Sequence, residues 1–246
     1  MKYLKAYLCL SFLLIHFAFA FQEEKVVVYL VGDSTCADKD PKAFPETGWG
    51  TPFKTFFNEN IVVENRAKNG RSTRSFIEEG RWDNIMGTLK PGDYVFIQFG
   101  HNDEVSTKAT ATTPEEFQNN LRKYIENTRA KNAIPVLLTS VSRRSFVDGN
   151  LNDTHKHYAE LTREIAADKE VPLIDMNKKS MRLLAEWGEE KSQLLYHHLE
   201  PGEHPNYPDG RTDNTHFNEL GARKMAQLVL KGIVEQNLGL QKFIIK

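Results

Sequence analysis

Apolar runs at five places along the chain predict the strands of a buried sheet. Residues 25–31, 94–99, 134–141 and 171–176 are short stretches dominated by Val, Ile, Leu and Phe, and residues 61–64 form a shorter one. Runs without polar alternation are typical of parallel strands that are covered on both faces. The pattern therefore predicts five strands, with a long connection between each pair.

The polar segment after residue 112 contains the clearest helix start. Thr113 is predicted as the N-cap, Pro114 as the first helical residue and Glu116 as the partner that completes a capping box. Apolar residues between 117 and 128 then recur at the spacing of one helical face. A helix is predicted to follow Thr113.

Residues 154–168 and 219–236 are also predicted to be helical, and Ser75 with Glu78 predicts the opening of a short helix, although Gly80 disfavours it. Strands that alternate with helices are typical of a parallel sheet with helices on both sides and right-handed crossovers. The predicted fold is α/β: a flavodoxin-like three-layer α/β/α sandwich whose five-stranded parallel sheet has the order 2-1-3-4-5.

The first twenty residues differ from the rest of the chain. Lys2 and Lys5 precede an apolar run at residues 6–17, and small residues surround a cleavage point at 18–20. This is the layout of a secretory signal peptide; a transmembrane anchor is the alternative, which the short run disfavours. The predicted organisation is a signal peptide at 1–20 and a single domain at 21–246, with export to the periplasm or the extracellular space.

The net charge disfavours a nucleic-acid-binding function, and the cysteine content disfavours a disulfide-stabilised protein. Removing Lys2 and Lys5 with the signal changes the formal net charge from −1 to −3, which supplies no basic field for nucleic acid. Cys36 is then the single cysteine, and its apolar surroundings predict a packing role. We expect a monomer without a disulfide and without membrane insertion after signal removal.

Four short motifs lie at the ends of predicted strands or before the last predicted helix. They are Gly32-Asp33-Ser34-Thr35, Asn69-Gly70-Arg71-Ser72, Gly100-His101-Asn102-Asp103 and Asp213-Asn214-Thr215-His216. The predicted sheet order makes the loops after strands 1, 2 and 3 neighbours, so we expect the first three motifs to meet at one edge of the sheet. Together they contain the groups that acyl transfer by a serine nucleophile requires.

Each motif has a candidate catalytic role and a structural alternative. Ser34, on a turn from strand to helix, is a candidate nucleophile or a helix cap. The N–H groups of Ser34 and Gly70 and the amide of Asn102 are candidate oxyanion donors, although such residues are also common in turns. Asp213 can hold one imidazole nitrogen of His216 while the other acts as a base; a solvated loop is the alternative.

Taken together, the motifs resemble the blocks of the SGNH (GDSL-type) hydrolase superfamily, which are Gly-Asp-Ser, Gly, Gly-x-Asn-Asp and Asp-x-x-His. The resemblance extends over residues 26–230. Thr35 after the serine, Gly-Arg-Ser-x-Arg-Ser at residues 70–75 and Gly-His-Asn-Asp at residues 100–103 make the chain most similar to the rhamnogalacturonan acetylesterases of carbohydrate esterase family 12. The resemblance implies the SGNH hydrolase fold.

The same resemblance implies a secreted serine esterase that removes O-acetyl groups from a pectic polysaccharide, with rhamnogalacturonan as the expected substrate. Ser34 would be the nucleophile, His216 the base and Asp213 its partner. Ser34, Gly70 and Asn102 would form the oxyanion hole, and no metal or organic cofactor is expected. Other acetylated glycans (xylan, sialic acid), lipids and thioesters are alternative substrates.

Three arginines are candidate contacts to the polymer. Arginine pairs with carboxylates in a bidentate manner, and a galacturonate-containing polymer is anionic, so Arg71, Arg74 and Arg211 are candidates. His101, in the third motif, is a further candidate for substrate binding. For Arg71 or Arg74 the alternative is that the side chain braces neighbouring loops.

Two other functions remain open on the sequence alone. Residues 197–211 are predicted to form a long irregular loop, and such loops often carry functional residues. A metal-dependent hydrolase is one alternative, because this loop contains six candidate metal ligands: His197, His198, Glu200, Glu203, His204 and Asp209. Their spacing matches no closed zinc pattern. A non-catalytic carbohydrate-binding module is the other alternative, and it explains export but not the four motifs.

Overall fold

The computed structural model describes residues 25–245, so the predicted signal peptide and the predicted start of the domain at residue 21 lie outside the described residues. The strands are β1 (Val26–Gly32), β2 (Ile61–Asn65), β3 (Tyr94–Gln98), β4 (Ile134–Leu138), β5 (Phe146–Val147), β6 (Asn150–Leu151), β7 (Leu173–Ile174), β8 (Tyr196–Leu199) and β9 (Arg211–Phe217). The helices are α1 (Gly50–Phe53), α2 (Thr73–Glu78), α3 (Arg81–Met86), α4 (Pro114–Ala130), α5 (Lys156–Asp168), α6 (Met176–Lys191) and α7 (Glu219–Glu235).

The central sheet has the order β2-β1-β3-β4-β7, and every neighbouring pair is parallel. Alternate residues of β1 enter different cores, because side chains along a strand point to opposite faces. Val28 and Leu30 pack with residues of α1, α6 and α7, whereas Tyr29 and Val31 pack with residues of α2 to α5. The predicted flavodoxin-like three-layer α/β/α sandwich with a five-stranded parallel sheet is confirmed.

The fifth strand is shorter than predicted, and a helix replaces its end. Residues 171–176 were expected to be a strand, but only Leu173 and Ile174 pair with β4. Asp175 accepts a hydrogen bond from the N–H of Lys178 and caps α6, a helix that the sequence pattern did not predict. The strand predicted at 134–141 also ends early, at Leu138.

Helix α2 begins one turn before the predicted start. Ser72 is its N-cap and exchanges hydrogen bonds with Ser75 in a capping box, so Ser75 lies inside the first turn instead of opening the helix. Gly80 adopts a left-handed conformation and separates α2 from α3. The glycine therefore ends this helix instead of preventing it.

Helix α4 begins at Pro114 as predicted, with the Thr113 hydroxyl accepting the N–H of Glu116. The Glu116 carboxylate does not complete the predicted capping box and instead lies 3.6 Å from Arg74 Nη1. Helices α5 and α7 begin and end within the ranges predicted for them.

Residues 197–211, predicted as an irregular loop, partly belong to a two-stranded antiparallel ribbon formed by β8 and β9. The ribbon is short and rich in polar residues, so it lacks the alternation that predicts a strand. Its base is in close contact with α7, since a Cβ on Gly221 would lie 1.7 Å from the carbonyl oxygen of Leu195.

Cys36 lies in the core beside β2, with 1% of its surface exposed. Burial, helped by the nearby carboxylates of Asp33 and Asp38, raises the pKa of its thiol well above the usual value. Across residues 25–245, no helix combines the length and the apolar character that crossing a membrane demands.

Candidate active site

Ser34 lies on the turn that follows β1, at the carboxyl edge of the sheet. The carboxylate of Asp33 accepts hydrogen bonds from the N–H and the hydroxyl of Thr35, at 2.9 and 2.8 Å. Asp33 is therefore the residue whose side chain caps this turn, and the Ser34 hydroxyl is left for another partner. That partner is His216, whose Nε2 is 2.9 Å from Ser34 Oγ.

His216 lies between Ser34 and Asp213. Its Nδ1 is 2.9 Å from Asp213 Oδ2, and Asp213 Oδ1 accepts the backbone N–H groups of Thr215 and His216 at 2.8 and 3.0 Å. Burial acts to raise the pKa of Asp213, but these hydrogen bonds outweigh it and hold the pKa well below its usual value. An ionised Asp213 favours a proton on Nδ1 and leaves Nε2 free to accept one from Ser34.

This chain of three side chains can move a proton from Ser34 Oγ to His216 Nε2 while the Asp213 carboxylate stabilises the imidazolium. Both heavy-atom distances are those of ordinary hydrogen bonds. The structure thus brings these three predicted residues together, whereas their catalytic roles stay predictions.

Contacts at the base of the ribbon set the distance between His216 and Ser34. The carbonyl of Phe217 accepts the N–H of Thr47, which joins β9 to the segment after the Ser34 turn. The rings of Tyr196 and Phe217 are in contact, with centroids 5.1 Å apart, and the Asn218 amide donates to the Tyr196 carbonyl. These anchors are buried or half-buried, so the ribbon is fixed at the end nearer the sheet.

Gly70 lies in the loop after β2 with a φ of +77°, which residues with side chains rarely adopt. A Cβ there would have no heavy atom within 4 Å, so the backbone is open to an approaching ligand. Lys39 ties this loop to the Ser34 turn, because its Nζ donates to Ser34 O at 2.6 Å and to Asn69 Oδ1 at 3.0 Å. No motif distinguishes Lys39 in the sequence, since its role arises from contacts across two loops.

Asn102 follows β3 and is 4% exposed. Its Nδ2 donates to the carbonyl of Arg71 at 2.9 Å, and its Oδ1 accepts from Lys108 Nζ at 2.7 Å. Because an ammonium group only donates, Lys108 fixes which end of the amide is oxygen. An amide nitrogen carries two hydrogens, so one remains for an oxyanion. The loops carrying Ser34, Gly70 and Asn102 are neighbours, as the sheet order predicts.

His101 is 3% exposed, and its Nδ1 is 3.2 Å from Asp33 Oδ2. Burial acts to raise the pKa of Asp33, but the His101 ring and the hydrogen bonds from Thr35 lower it to about 2. His101 therefore braces the ends of β1 and β3 against each other. Its predicted direct contact with substrate is not supported by this position.

A set of buried and half-buried polar side chains continues behind His101. The ring of His101 contacts that of His155, with centroids 4.2 Å apart, and His155 Nδ1 is 2.6 Å from Glu104 Oε1. Burial, with the charge of His101, lowers the pKa of His155 to about 4, although the Glu104 hydrogen bond acts to raise it. Arg143 lies 3.8 Å from Glu104. Sequence reasoning missed these residues, because they come from distant segments without a shared motif.

Thr35 is part of a second buried network. Its hydroxyl donates to Asp33 Oδ1 at 2.8 Å and accepts from Gln98 Nε2 at 2.7 Å, and Gln98 Oε1 in turn accepts from Trp49 Nε1. A leucine at this position could make neither bond. The Thr35 that separates this chain from the GDSL pattern therefore has a definite structural role.

Asp103, fully buried, holds the loop after β3 to the start of α2. Its Oδ1 accepts from the N–H and hydroxyl of Thr73 and from the hydroxyl of Thr112. Burial raises the pKa of Asp103 to about 6, despite these hydrogen bonds. The link keeps the loops that carry Gly70 and Asn102 together.

The three candidate arginines differ in their surroundings. Arg71 forms an ion pair with Glu79, and Arg74 lies near Glu116 and donates to the carbonyl of Ala109. Arg211 lies at the start of β9, with its Nη2 3.2 Å from Asp213 Oδ2. Only Arg211 of the three contacts a member of the Ser-His-Asp chain.

The residues that a metal site would require are dispersed. His197 is buried against the ring of Tyr207, whereas His198 Nε2 is 2.8 Å from Asn214 Oδ1 on the other face of the ribbon. Burial lowers the pKa of His197. Within residues 25–245, no three His, Cys, Asp or Glu side chains converge as metal ligands.

A hollow of about 490 Å³ lies beside the ribbon but away from the Ser-His-Asp chain. Its lining comes from the two ends of the ribbon region and the start of α7, and includes His198, Glu200, Glu203 and Glu219. Ser34, Asp213 and His216 do not line it.

The family model of the GDSL-like Lipase/Acylhydrolase family matches residues 30–224. The chain belongs to this family, and it is a carboxylic ester hydrolase. The resemblance to SGNH (GDSL-type) hydrolases is confirmed, and this family membership disfavours a purely binding module.

Relatives within the family are similar over most of the chain. The chain is 42% identical over 225 residues to "Rhamnogalacturonan acetylesterase RhgT" of Bacillus subtilis, covering 91% of this chain and 96% of the relative. It is 29% identical over 233 residues to a "Rhamnogalacturonan acetylesterase" of Emericella nidulans, covering 84% of each. The solved structure of YxiM from Bacillus subtilis superposes with a TM-score of 0.76 at 26% identity, covering 88% of this chain and 58% of that chain.

Proposed function

We propose that this protein is a serine acetylesterase that removes O-acetyl groups from a pectic polysaccharide, with rhamnogalacturonan as the expected substrate. The observation that carries the proposal is the position of His216, within hydrogen-bond distance of both Ser34 Oγ and Asp213 Oδ2. The 42% identity to RhgT supports the choice of substrate.

In the proposed reaction, Ser34 Oγ attacks the acetyl carbonyl carbon while His216 Nε2 takes the hydroxyl proton. The N–H groups of Ser34 and Gly70 and the Asn102 amide stabilise the oxyanion. The sugar oxygen then leaves with the proton from His216, and the acetyl group stays on Ser34. Water, deprotonated by His216, releases acetate and restores the serine.

Labelling with a serine-directed fluorophosphonate tests the nucleophile. We expect the wild-type protein to be labelled and Ser34→Ala to be neither labelled nor active, while Ser145→Ala, a serine outside the proposed site, is labelled normally. Labelling that persists in Ser34→Ala would refute the assignment of the nucleophile.

The substrate is tested by acetate release from acetylated rhamnogalacturonan, xylan, homogalacturonan and a lipid ester, side by side. We expect the highest kcat/KM on rhamnogalacturonan. A preference for xylan or lipid would reject the pectic substrate while leaving the esterase chemistry intact. Insensitivity to a chelator is expected, and loss of activity on chelation would instead favour the metal-dependent alternative.

Export belongs to the same proposal, because a pectic polymer is an extracellular substrate. The signal-peptide pattern of residues 1–20 supports it. Sequencing the amino terminus of the secreted protein should give a start at Phe21. Recovery of the full-length chain from the cytoplasm alone would contradict export.

A further inference from the structure

The arginines predicted to contact an anionic polymer are not equally available. Arg71 is held by Glu79 through two contacts of 3.0 Å, and its Nη1 also donates to the Asn69 carbonyl. Its guanidinium is therefore already matched by a carboxylate in the bidentate geometry that a uronic acid would need. Arg74 is engaged by Glu116 and by a backbone carbonyl.

Arg211 is more accessible. Its side chain is 48% exposed, and its one ion pair is the contact of Nη2 with Asp213 Oδ2. Among residues 25–245, no other hydrogen-bond acceptor meets its guanidinium. Five N–H donors in a planar fork are therefore largely open to a ligand.

Asp213 does not depend on Arg211. Its two oxygens accept the His216 ring and the backbone N–H groups of Thr215 and His216, and these hydrogen bonds account for its low pKa. A ligand can thus draw the Arg211 guanidinium away while Asp213 keeps its other partners. Exposed ion pairs of this kind contribute little stability, so the Arg211 guanidinium can leave Asp213 with only a small loss of free energy.

Arg211 also faces the reacting groups. In the antiparallel ribbon, Leu199 pairs with Arg211 and His197 pairs with Asp213, so Arg211 and Asp213 share one face. The guanidinium is two hydrogen-bond contacts from the His216 ring, through Asp213 Oδ2. A carboxylate bound to it would belong to a sugar beside the one being deacetylated.

The charges around the ribbon favour binding of an anionic polymer at Arg211. Glu200, Glu203 and Glu219 line the hollow described above, together with His198 and Leu199 from both faces of the ribbon. Like charges repel a polyanion from these carboxylates, whereas the cationic Arg211 attracts it.

We propose that Arg211 forms a subsite for the carboxylate of a uronic acid residue adjacent to the acetylated sugar, and thereby sets the preference of this esterase for acidic polymers. This inference rests on the proposed function. Arg211 is a specificity-determining residue in it, since it binds the neighbouring sugar and not the ester.

The test uses one polymer in two forms, acetylated rhamnogalacturonan and the same preparation with its uronic carboxyl groups reduced to alcohols. Each variant is described by the ratio of kcat/KM on the native polymer to that on the reduced polymer. Wild type should prefer the native form. Arg211→Gln should lower the ratio about tenfold, since it replaces a charge-assisted hydrogen bond with one from a neutral amide.

Arg211→Lys should retain part of the preference, because it keeps the charge but loses the planar fork. Arg182→Gln is the matched control: Arg182 is an exposed arginine on α6 that pairs with Glu186, and its ratio should equal that of wild type. Thermal unfolding of every variant confirms that the fold is retained.

Four results would overturn the inference. A wild-type ratio near one would mean that no carboxylate is recognised. An equal loss on both polymers in Arg211→Gln would show that Arg211 positions Asp213 instead, and no loss would show that it is a solvated charge. A wild-type enzyme that cleaves an aryl acetate but neither polymer would defeat the proposed substrate as well, which separates the two failures.

Discussion

The two halves of the candidate active site are built in different ways. Ser34, Gly70 and Asn102 form the sheet-borne half, on loops at the carboxyl edge of the parallel sheet. Buried networks through Asp33 and Asp103 hold those loops together. Asp213 and His216, the ribbon-borne half, lie instead on a two-stranded ribbon that contacts the rest of the domain at its base, through Arg144 and at its tip.

Because of this difference, we expect substitutions in the two halves to affect folding stability and catalysis to different extents. Substitutions in the sheet-borne half break buried hydrogen bonds and should affect both folding and catalysis. The ribbon-borne half is partly exposed, with 26% of the His216 side chain accessible, so substitutions there should affect catalysis more than stability. The ribbon also carries the face that a polymer would meet first.

The largest effect is expected from Asp213→Asn. The amide would favour the wrong imidazole tautomer, so Nε2 could no longer accept the serine proton, and kcat should fall about 10⁴-fold. The melting temperature should fall modestly, because the carboxylate charge that stabilises the fold is lost while the Asn oxygen can still accept the two backbone N–H groups. The measurement is kcat on an aryl acetate together with thermal unfolding, with Asp209→Asn, an exposed acid in the same region, as the control. A large loss of stability would contradict the separation of the two halves.

Asn102→Ala should come next. Removing one oxyanion donor costs about 10²–10³ in kcat, with little change in KM. Asn119→Ala, an exposed asparagine on α4, should leave both constants unchanged. A defect in KM alone would mean that Asn102 binds substrate without stabilising the transition state.

Thr35→Val should lower stability in the sheet-borne half. It removes the hydroxyl that joins Asp33 to Gln98, and leaving buried polar groups unpaired costs about 1–3 kcal/mol. The free energy of unfolding in urea measures the loss. Thr35→Ser keeps the hydroxyl and should lose less, so equal losses in the two variants would exclude the hydrogen bonds as the cause.

Lys108→Met tests the orientation of the oxyanion amide from outside the core. Lys108 is exposed, so its bond to Asn102 Oδ1 should contribute no more than about fivefold in kcat. Lys108→Arg should restore most of the rate. A loss that the arginine variant does not restore would show that the contact does not orient the amide.

The smallest effect is expected in the pH dependence of folding stability, through the protonation of His155. Its pKa of about 4 in the folded protein lies below the ordinary value near 6.5, so the unfolded chain binds a proton first as the pH falls. Stability linked to His155 is therefore present near neutral pH and is lost as the pH falls from about 6.5 towards 4. Asp103 opposes it: its raised pKa of about 6 favours the folded state at lower pH.

His155→Gln should reduce the acid-induced loss of stability by on the order of 1 kcal/mol between pH 7 and pH 5. His157→Gln, a substitution of an exposed histidine two residues further along the chain, should leave the pH dependence unchanged. Melting temperatures across this pH range provide the measurement, and identical profiles for wild type and His155→Gln would reject the linkage.

The sheet-borne half could be predicted from sequence because parallel strands are continuous apolar runs, and their order brings successive loops together. The ribbon could not, because its strands are polar and their pairing is decided by contacts with Phe217 and α7. Likewise, Lys39 and Lys108 contact the site from loops that no local pattern relates to it. Motif residues can be identified from the local sequence, whereas the residues that position them can be identified only from contacts in the folded protein.

The buried thiol of Cys36 has a practical consequence. Once residues 1–20 are removed, it is the single cysteine, and its inaccessibility and raised pKa protect it from alkylating reagents in the folded state. It lies two residues from Ser34, beneath the sheet-borne half. The rate at which Cys36 is alkylated therefore reports how often the sheet-borne half unfolds locally, and no cysteine has to be introduced for the measurement.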